Sequence, residues 1–95
     1  MRVAMFMKWE VSSVDEYDQV RKVVDWDNKI PEGAVLHVAS FDSKGFLRVT
    51  DVWESEEELN NFVQKRLMPG VEQVGIKTQP IVEVYPLHNL FTLGV

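Results

Sequence analysis

The 95-residue chain contains no cysteine, and its 10 Lys and Arg residues are outnumbered by 15 Asp and Glu residues, which gives a formal net charge of −5 at pH 7. The missing thiols exclude disulfides, thiolate metal sites, iron–sulfur clusters and cysteine nucleophiles. The shortage of basic residues argues against a nucleic-acid backbone or an anionic membrane as the main partner. We therefore expect neither a nucleic-acid nor a membrane partner.

Long apolar runs and phosphate-binding motifs are also missing from the sequence. The apolar run from Val3 to Met7 ends at Lys8, far short of the ~18 residues that a membrane span requires. No small-residue cleavage site follows this run, so we expect a cytoplasmic protein. The sequence contains no glycine-rich phosphate loop and no Gly-x-Ser-x-Gly elbow, which argues against nucleotide-dependent and covalent chemistry.

The chain does contain enough apolar material for one small domain. Hydrophobic residues make up 45% of the sequence and charged residues 26%, a balance typical of globular proteins. Since independent domains are rarely much shorter than ~50 residues, two domains are excluded. We expect a single domain over residues 1–95 that ends in an apolar tail, residues 86–95.

Two capping boxes predict the starts of two helices. Residues 13–16, Ser-Val-Asp-Glu, combine an N-cap serine with a glutamate three residues later and predict a helix over about residues 14–24. Residues 55–58, Ser-Glu-Glu-Glu, repeat this spacing. We expect the second helix to end near Pro69-Gly70, because proline interrupts helical hydrogen bonding.

Alternating apolar residues predict four strands. Residues 3–9 have a period of two, and residues 34–41 and 46–54 flank the turn formers of residues 42–45, as in an antiparallel hairpin. A last strand is expected over residues 81–85. This order predicts an α+β ferredoxin-like β-α-β-β-α-β fold, a four-stranded antiparallel sheet with both helices on one face.

The register of the hairpin decides which side chains lie beneath the helices. Pairing Phe41 with Phe46 across a four-residue turn puts Asp51 and His37 on opposite faces of the sheet, and the greater apolarity of the Asp51 face suits it to lie beneath the helices. That other face would then expose an apolar patch formed by Val35, Phe41, Phe46 and Val52. Because monomers seldom expose such patches, we expect a homodimer or a larger homo-oligomer.

Asp51, His37 and His88 are the candidates for catalysis. A carboxylate beneath helices is either a structural group held by hydrogen bonds or a desolvated general base in a pocket lined by Trp53 and Tyr17. Two histidines without the spacing of a zinc motif do not predict a metal site, so we expect none. His37 is more simply a hydrogen-bonded structural imidazole, and His88 is either an interface residue or a catalytic one.

Aromatic residues are the candidates for ligand contacts. Tryptophans in a chain this small are more often core or interface residues than stacking platforms, and no basic stripe interleaves them as single-strand nucleic-acid binding would need. A core or interface role therefore stays open for these rings. The candidate ligand-binding residues are Trp53, Tyr17, Trp9 and Phe62.

The segment from Leu47 to Leu59, LRVTDVWESEEEL, enters a helix from the third strand and resembles the corresponding stretch of dimeric α/β-barrel proteins. This superfamily includes small cofactor-free monooxygenases of the antibiotic-biosynthesis type and muconolactone isomerase-like proteins. The resemblance implies that two sheets join back to back as a barrel. It also implies that a small, largely apolar ligand lies between sheet and helices.

The same resemblance implies a cofactor-independent monooxygenase- or isomerase-like enzyme without a bound cofactor. The alternative is a non-catalytic structural or oligomerising protein whose apolar tail packs on a neighbour. Phe62 stands where many relatives carry a histidine, so the resemblance does not extend to haem ligation and weakens the case for oxygenase chemistry.

Overall fold

A computed structural model describes residues 1–11 and 13–93, so residues 94 and 95 of the predicted tail lie outside the described residues. The four strands form one antiparallel sheet in the order β2-β3-β1-β4. This confirms the predicted ferredoxin-like α+β order. The elements are β1 (Val3–Trp9), α1 (Val14–Val24), β2 (Ala34–Phe41), β3 (Leu47–Trp53), α2 (Glu56–Phe62), a π-helical segment (Val63–Leu67), α3 (Met68–Val74) and β4 (Ile81–Pro86).

Both predicted helix starts are capped as expected. The Ser13 hydroxyl accepts a hydrogen bond from the backbone N–H of Glu16 at 3.2 Å, and the Ser55 hydroxyl accepts one from the N–H of Glu58 at 3.1 Å. These side chains satisfy N–H groups that have no partner inside the helix. Within the described part of the chain, no helix is both long enough and apolar enough to cross a membrane.

The expected end of the second helix at Pro69-Gly70 is wrong. Helical backbone continues from α2 through the π-helical segment into α3, and the N–H of Met68 bonds to the carbonyl of Val63, five residues back. Pro69 therefore stands in the first turn of α3, where its missing N–H costs little. The wider π turn lets the helix continue past the proline.

The end of α1 packs tightly against this long helical stretch. A Cβ on Gly70 would lie 2.8 Å from Cγ1 of Val24, so the two helices approach closely only because Gly70 has no side chain. Arg66 donates a hydrogen bond from Nη2 to the carbonyl oxygen of Val24 at 2.5 Å. These contacts fix the helical layer over the sheet.

The turn between β2 and β3 contains three residues rather than four. Asp42 belongs to the ladder, since its N–H donates to the carbonyl of Phe46 at 2.9 Å. Gly45 has a φ of 84°, a left-handed conformation that glycine adopts without strain. The carboxylate of Asp42 also accepts the N–H groups of Lys44 at 2.9 Å and Phe46 at 3.0 Å.

This shorter turn shifts the register by one residue and reverses the predicted orientation of β2. Phe41 pairs with Leu47, and His37 pairs with Asp51. A one-residue shift turns every side chain of a strand to the opposite face. The prediction that His37 faces away from Asp51 is therefore wrong, whereas Asp51 itself lies beneath the helices as expected.

The apolar patch predicted on the outer face of the sheet exists with different residues. Phe41 packs against the core, and Val52 is only 3% exposed, so neither forms the patch. The register places four other side chains on the face away from the helices, with exposed fractions from 44% to 66%. These residues, called the outer patch below, are Phe6, Val38, Ile81 and Tyr85.

We predict that Asp42→Asn destabilises the protein near neutral pH and that this difference disappears in acid. Hydrogen bonds from the Phe46 N–H, from Arg48 and from the Lys44 N–H hold the pKa of Asp42 below its ordinary value of 3.8. A carboxylate with a lowered folded-state pKa stabilises the fold above its unfolded pKa and loses that effect as the pH falls through the folded pKa.

Urea unfolding of both proteins from neutral pH to well below pH 3.8 measures this. The two stabilities should converge at the acid end. Ser43→Ala, at an exposed position in the same turn, is the control and should follow the wild type throughout. A difference between wild type and Asp42→Asn that stays constant with pH would contradict the prediction.

Candidate functional site

A cavity of about 330 Å³ lies between the sheet and the helices. Most of its wall is apolar, and four polar side chains that are hydrogen-bonded to one another also line it. An apolar cavity with a few convergent polar groups is the usual form of a small-molecule site. The apolar wall includes Met5, Val20, Val49, Phe62 and Val84, and the polar cluster consists of Tyr17, Arg21, His37 and Asp51.

Asp51 is the buried end of this polar cluster, with only 5% of the residue exposed. One carboxylate oxygen lies 2.7 Å from Nδ1 of His37. The other accepts a hydrogen bond from the indole N–H of Trp53 at 3.1 Å. Both oxygens of the buried carboxylate are thus bound, which is the condition for keeping such a group inside a protein.

The hydrogen bonds run in one direction from Arg21 to Asp51. A carboxylate only accepts, so we assign the imidazole proton to Nδ1 of His37. With the proton assigned to Nδ1, Nε2 is the acceptor for the Tyr17 hydroxyl, 2.7 Å away. The Tyr17 oxygen in turn accepts from Nη1 of Arg21 at 3.3 Å. Every donor in this chain has an acceptor.

The fold builds this chain from neighbouring strands and one helix. His37 and Asp51 are opposite each other in the ladder between β2 and β3. Asp51 and Trp53 are two residues apart on one strand and so share its face. Tyr17 comes from α1, and its ring lies parallel to that of His37, with an interplanar angle of 2°.

Trp26, in the loop after α1, completes the surroundings of His37. The two ring centroids are 4.9 Å apart, and Trp26 also packs edge-on against Trp53 and Phe62. Trp26 is not among the site residues that the sequence predicted. Trp26 reaches His37 because the loop after α1 folds back onto the sheet.

Arg21 is a second residue that sequence reasoning missed. Its position one helical turn after Tyr17 was a usable signal, because residues four apart share a helix face. The guanidinium also bonds to Asp27, with Nη2 and Oδ1 2.7 Å apart. This bond raises the pKa of Arg21 and lowers that of Asp27.

The other predicted site residues are spread more widely. Trp9 and Phe62 line the cavity, and Trp9 donates its indole N–H to Thr78. Trp53 is fully buried and holds Asp51 instead of lining the cavity. His88 is exposed after β4 and does not line the cavity. The structure thus brings Asp51, His37 and Tyr17 together, and their roles stay predictions.

Among residues 1–11 and 13–93, no group of three His, Asp or Glu side chains is placed to hold a metal ion.

Comparisons with known proteins identify the fold. No protein-family sequence model and no curated protein matches the chain. Solved structures of several proteins align over nearly the whole chain. SnoaB, a cofactor-independent oxygenase from Streptomyces nogalater, is 13% identical over 99% of this chain and 98% of its own, with a TM-score of 0.70. NE2512, a protein of unknown function from Nitrosomonas europaea, is 14% identical over 98% and 96%, with a TM-score of 0.73.

A proposed antibiotic biosynthesis monooxygenase from Caulobacter crescentus is 13% identical over 93% of this chain and 91% of its own, with a TM-score of 0.68. The chain has the antibiotic-biosynthesis-monooxygenase-like fold. This confirms the resemblance seen in the sequence. Identities this low establish the architecture, and the chemistry has to be argued from the site itself.

We predict that Trp53→Phe destabilises the protein by about 2 to 3 kcal/mol, because it leaves one oxygen of a buried carboxylate without its donor. Urea unfolding at neutral pH measures the loss. Trp26→Phe is the matched control, since it makes the same replacement at a half-buried neighbouring ring that gives no hydrogen bond to Asp51. It should lower the free energy of unfolding by less. Equal losses in the two variants would show that the indole N–H is not what holds Asp51.

Proposed function

We propose that the protein is a cofactor-independent enzyme that binds a small, largely apolar molecule in the cavity and removes a proton from it. The observation that carries this proposal is the hydrogen-bonded chain Asp51–His37–Tyr17, which reaches the wall of an otherwise apolar cavity. In a chain of this order the carboxylate orients the imidazole, and the imidazole accepts the hydroxyl proton. The hydroxyl oxygen can then act as a general base.

In the proposed step the Tyr17 oxygen is the group that touches the substrate. The Tyr17 hydroxyl proton moves to Nε2 of His37, 2.7 Å away, and the Tyr17 oxygen takes a proton from the substrate. His37 becomes an imidazolium beside the carboxylate of Asp51, which stabilises that charge. The guanidinium of Arg21 stabilises negative charge that develops on the Tyr17 oxygen.

The apolar wall supports this step in two ways. It binds the apolar part of the substrate, because binding removes apolar surface of the substrate from water. It also keeps bulk water away from the reacting atoms, so charges interact more strongly there than in solution. An anion formed on the substrate is therefore held near the groups that made it.

Two reactions can follow deprotonation. Return of the proton to another atom of the substrate is an isomerisation. Reaction of the substrate anion with dioxygen is an oxygenation in which the substrate supplies the electrons: a CH₂ group becomes C=O, and the second oxygen atom leaves as water. The Streptomyces nogalater neighbour is named as an oxygenase of the cofactor-independent kind, so we propose oxygenation first and isomerisation second.

We predict that the wild-type protein accelerates exchange of an acidic C–H proton for deuterium in D₂O, and that Tyr17→Phe slows this exchange about 100-fold. A panel of small apolar ketones provides the substrates, and NMR follows the loss of the C–H signal. The assay detects the common first step of both reactions, and parallel measurement of dioxygen consumption separates them. Exchange that is equal with and without the protein for every ketone would overturn the proposal.

Binding is tested separately, with a fluorescent apolar dye as the probe. Val20→Phe fills the cavity and should abolish dye binding. Val14→Phe places the same side chain at an exposed position of the same helix and should leave binding unchanged. Tyr17→Phe should keep dye binding while losing proton exchange, which separates the two functions of the site.

We also propose that two copies of the chain pair through the outer patch of the sheet. The four apolar side chains of this patch lie on β1, β2 and β4 of the same sheet and are all about half exposed or more. Covering them with an equivalent surface would give the back-to-back barrel that the sequence resemblance implies. The proton-transfer chain lies on the opposite face, so each copy would keep its own site.

Phe6→Lys tests this pairing, because Phe6 lies on the central strand β1 and is 44% exposed. We predict the mass of two chains for the wild type and of one chain for the variant, measured by light scattering over a dilution series. A charge at this position is costly only when the face is covered. The control is Val14→Lys, at an exposed helix position, which should keep the wild-type mass. A wild type with the mass of one chain at every concentration would remove the proposal.

A further inference from the structure

Arg21 has a placement that proton transfer alone does not require. It is the one Arg or Lys side chain among the described residues that line the cavity. The Arg21 side chain is only 34% exposed. Its guanidinium lies 5.9 Å from the centre of the Trp26 ring and donates to the Tyr17 hydroxyl. A cation built into a largely apolar wall needs an anionic partner.

The partner that Arg21 has is a surface residue. Asp27 lies in the turn after α1, its side chain is 71% exposed, and it meets the guanidinium from the solvent side at 2.7 Å. Exposed ion pairs contribute little because water and salt screen them. A ligand carboxylate can therefore replace Asp27 at little cost, while Arg21 stays fixed by Tyr17 and Trp26.

Space for such a carboxylate is present beside the guanidinium. A second hollow of about 210 Å³ shares Arg21, Trp26 and His37 with the main cavity and is otherwise bounded by Ile30 and residues 34–36. A charged head group can thus meet Arg21 without displacing the apolar body of the same molecule from the main cavity.

We infer that the molecule bound in the cavity is an apolar carboxylic acid whose carboxylate pairs with Arg21 in place of Asp27. This inference rests on the proposed function and names its substrate class. A guanidinium matches a carboxylate through two parallel hydrogen bonds. A single guanidinium in a chain of net charge −5 suits one negative charge better than the higher charge of a phosphate.

The test compares two probes of equal shape, 2-naphthoate and its uncharged amide, 2-naphthamide, by isothermal titration calorimetry at neutral pH. We expect the wild type to bind the carboxylate about tenfold more tightly than the amide, as a charge-assisted hydrogen bond predicts. Arg21→Gln should remove this preference, because the carboxylate then binds no more tightly than the amide. Asp27→Asn removes the competing carboxylate and should raise the affinity for naphthoate only.

Lys22→Gln is the matched control, because Lys22 is the next residue on the helix, is exposed and does not line the cavity. It should behave as the wild type. Equal binding of the two probes to the wild type, or a preference that survives Arg21→Gln, would overturn this inference and leave the apolar site in place. If neither probe binds the wild type, the proposed apolar ligand site fails and this inference fails with it.

Discussion

The buried carboxylate of Asp51 is the constraint on which the rest of the structure depends. It lies beneath the helices at 5% exposure, where a charge is tolerated only with its oxygens bound. Trp53 and His37 supply the two donors. A slip of β2 by one residue would turn His37 to the outer face and leave one oxygen unbound. The pairing of β2 with β3 and the geometry of the candidate site therefore depend on the same hydrogen bond.

A structural and a chemical role for this hydrogen-bonded chain are compatible. A general base works well when its donors and acceptors are held in place before the substrate arrives. Asp51 fixes the orientation and tautomer of His37, and His37 fixes the hydroxyl of Tyr17. The hydrogen bond that satisfies the carboxylate of Asp51 thus also holds Nε2 of His37 against the Tyr17 hydroxyl at the wall of the cavity. The same contacts thus stabilise the fold and hold these three side chains in the arrangement that the proposed proton transfer needs.

Local signals explain what the sequence could predict. Capping boxes and strand alternation act over a few residues, so the order of elements and the position of Asp51 beneath the helices followed from them. The register depended on whether the turn holds three residues or four, which the side-chain bonds of Asp42 decide. Turn composition alone does not show this, so the contact between His37 and Asp51 was missed. The place of Trp26 depends on a loop folding back over the sheet, a non-local event.

The imidazole of the candidate site does not come from the second helix. Phe62 of α2 lines the apolar wall and packs on Trp53, with ring centroids 5.4 Å apart. The imidazole comes instead from His37 on β2, on the sheet side of the cavity. Its accepting nitrogen points to Tyr17 of α1. Proton transfer in this protein would then occur between β2 and α1, with α2 shaping the apolar side of the cavity. The fold places the cavity between sheet and helices, and under the proposed function the residues on its wall decide on which side proton transfer takes place.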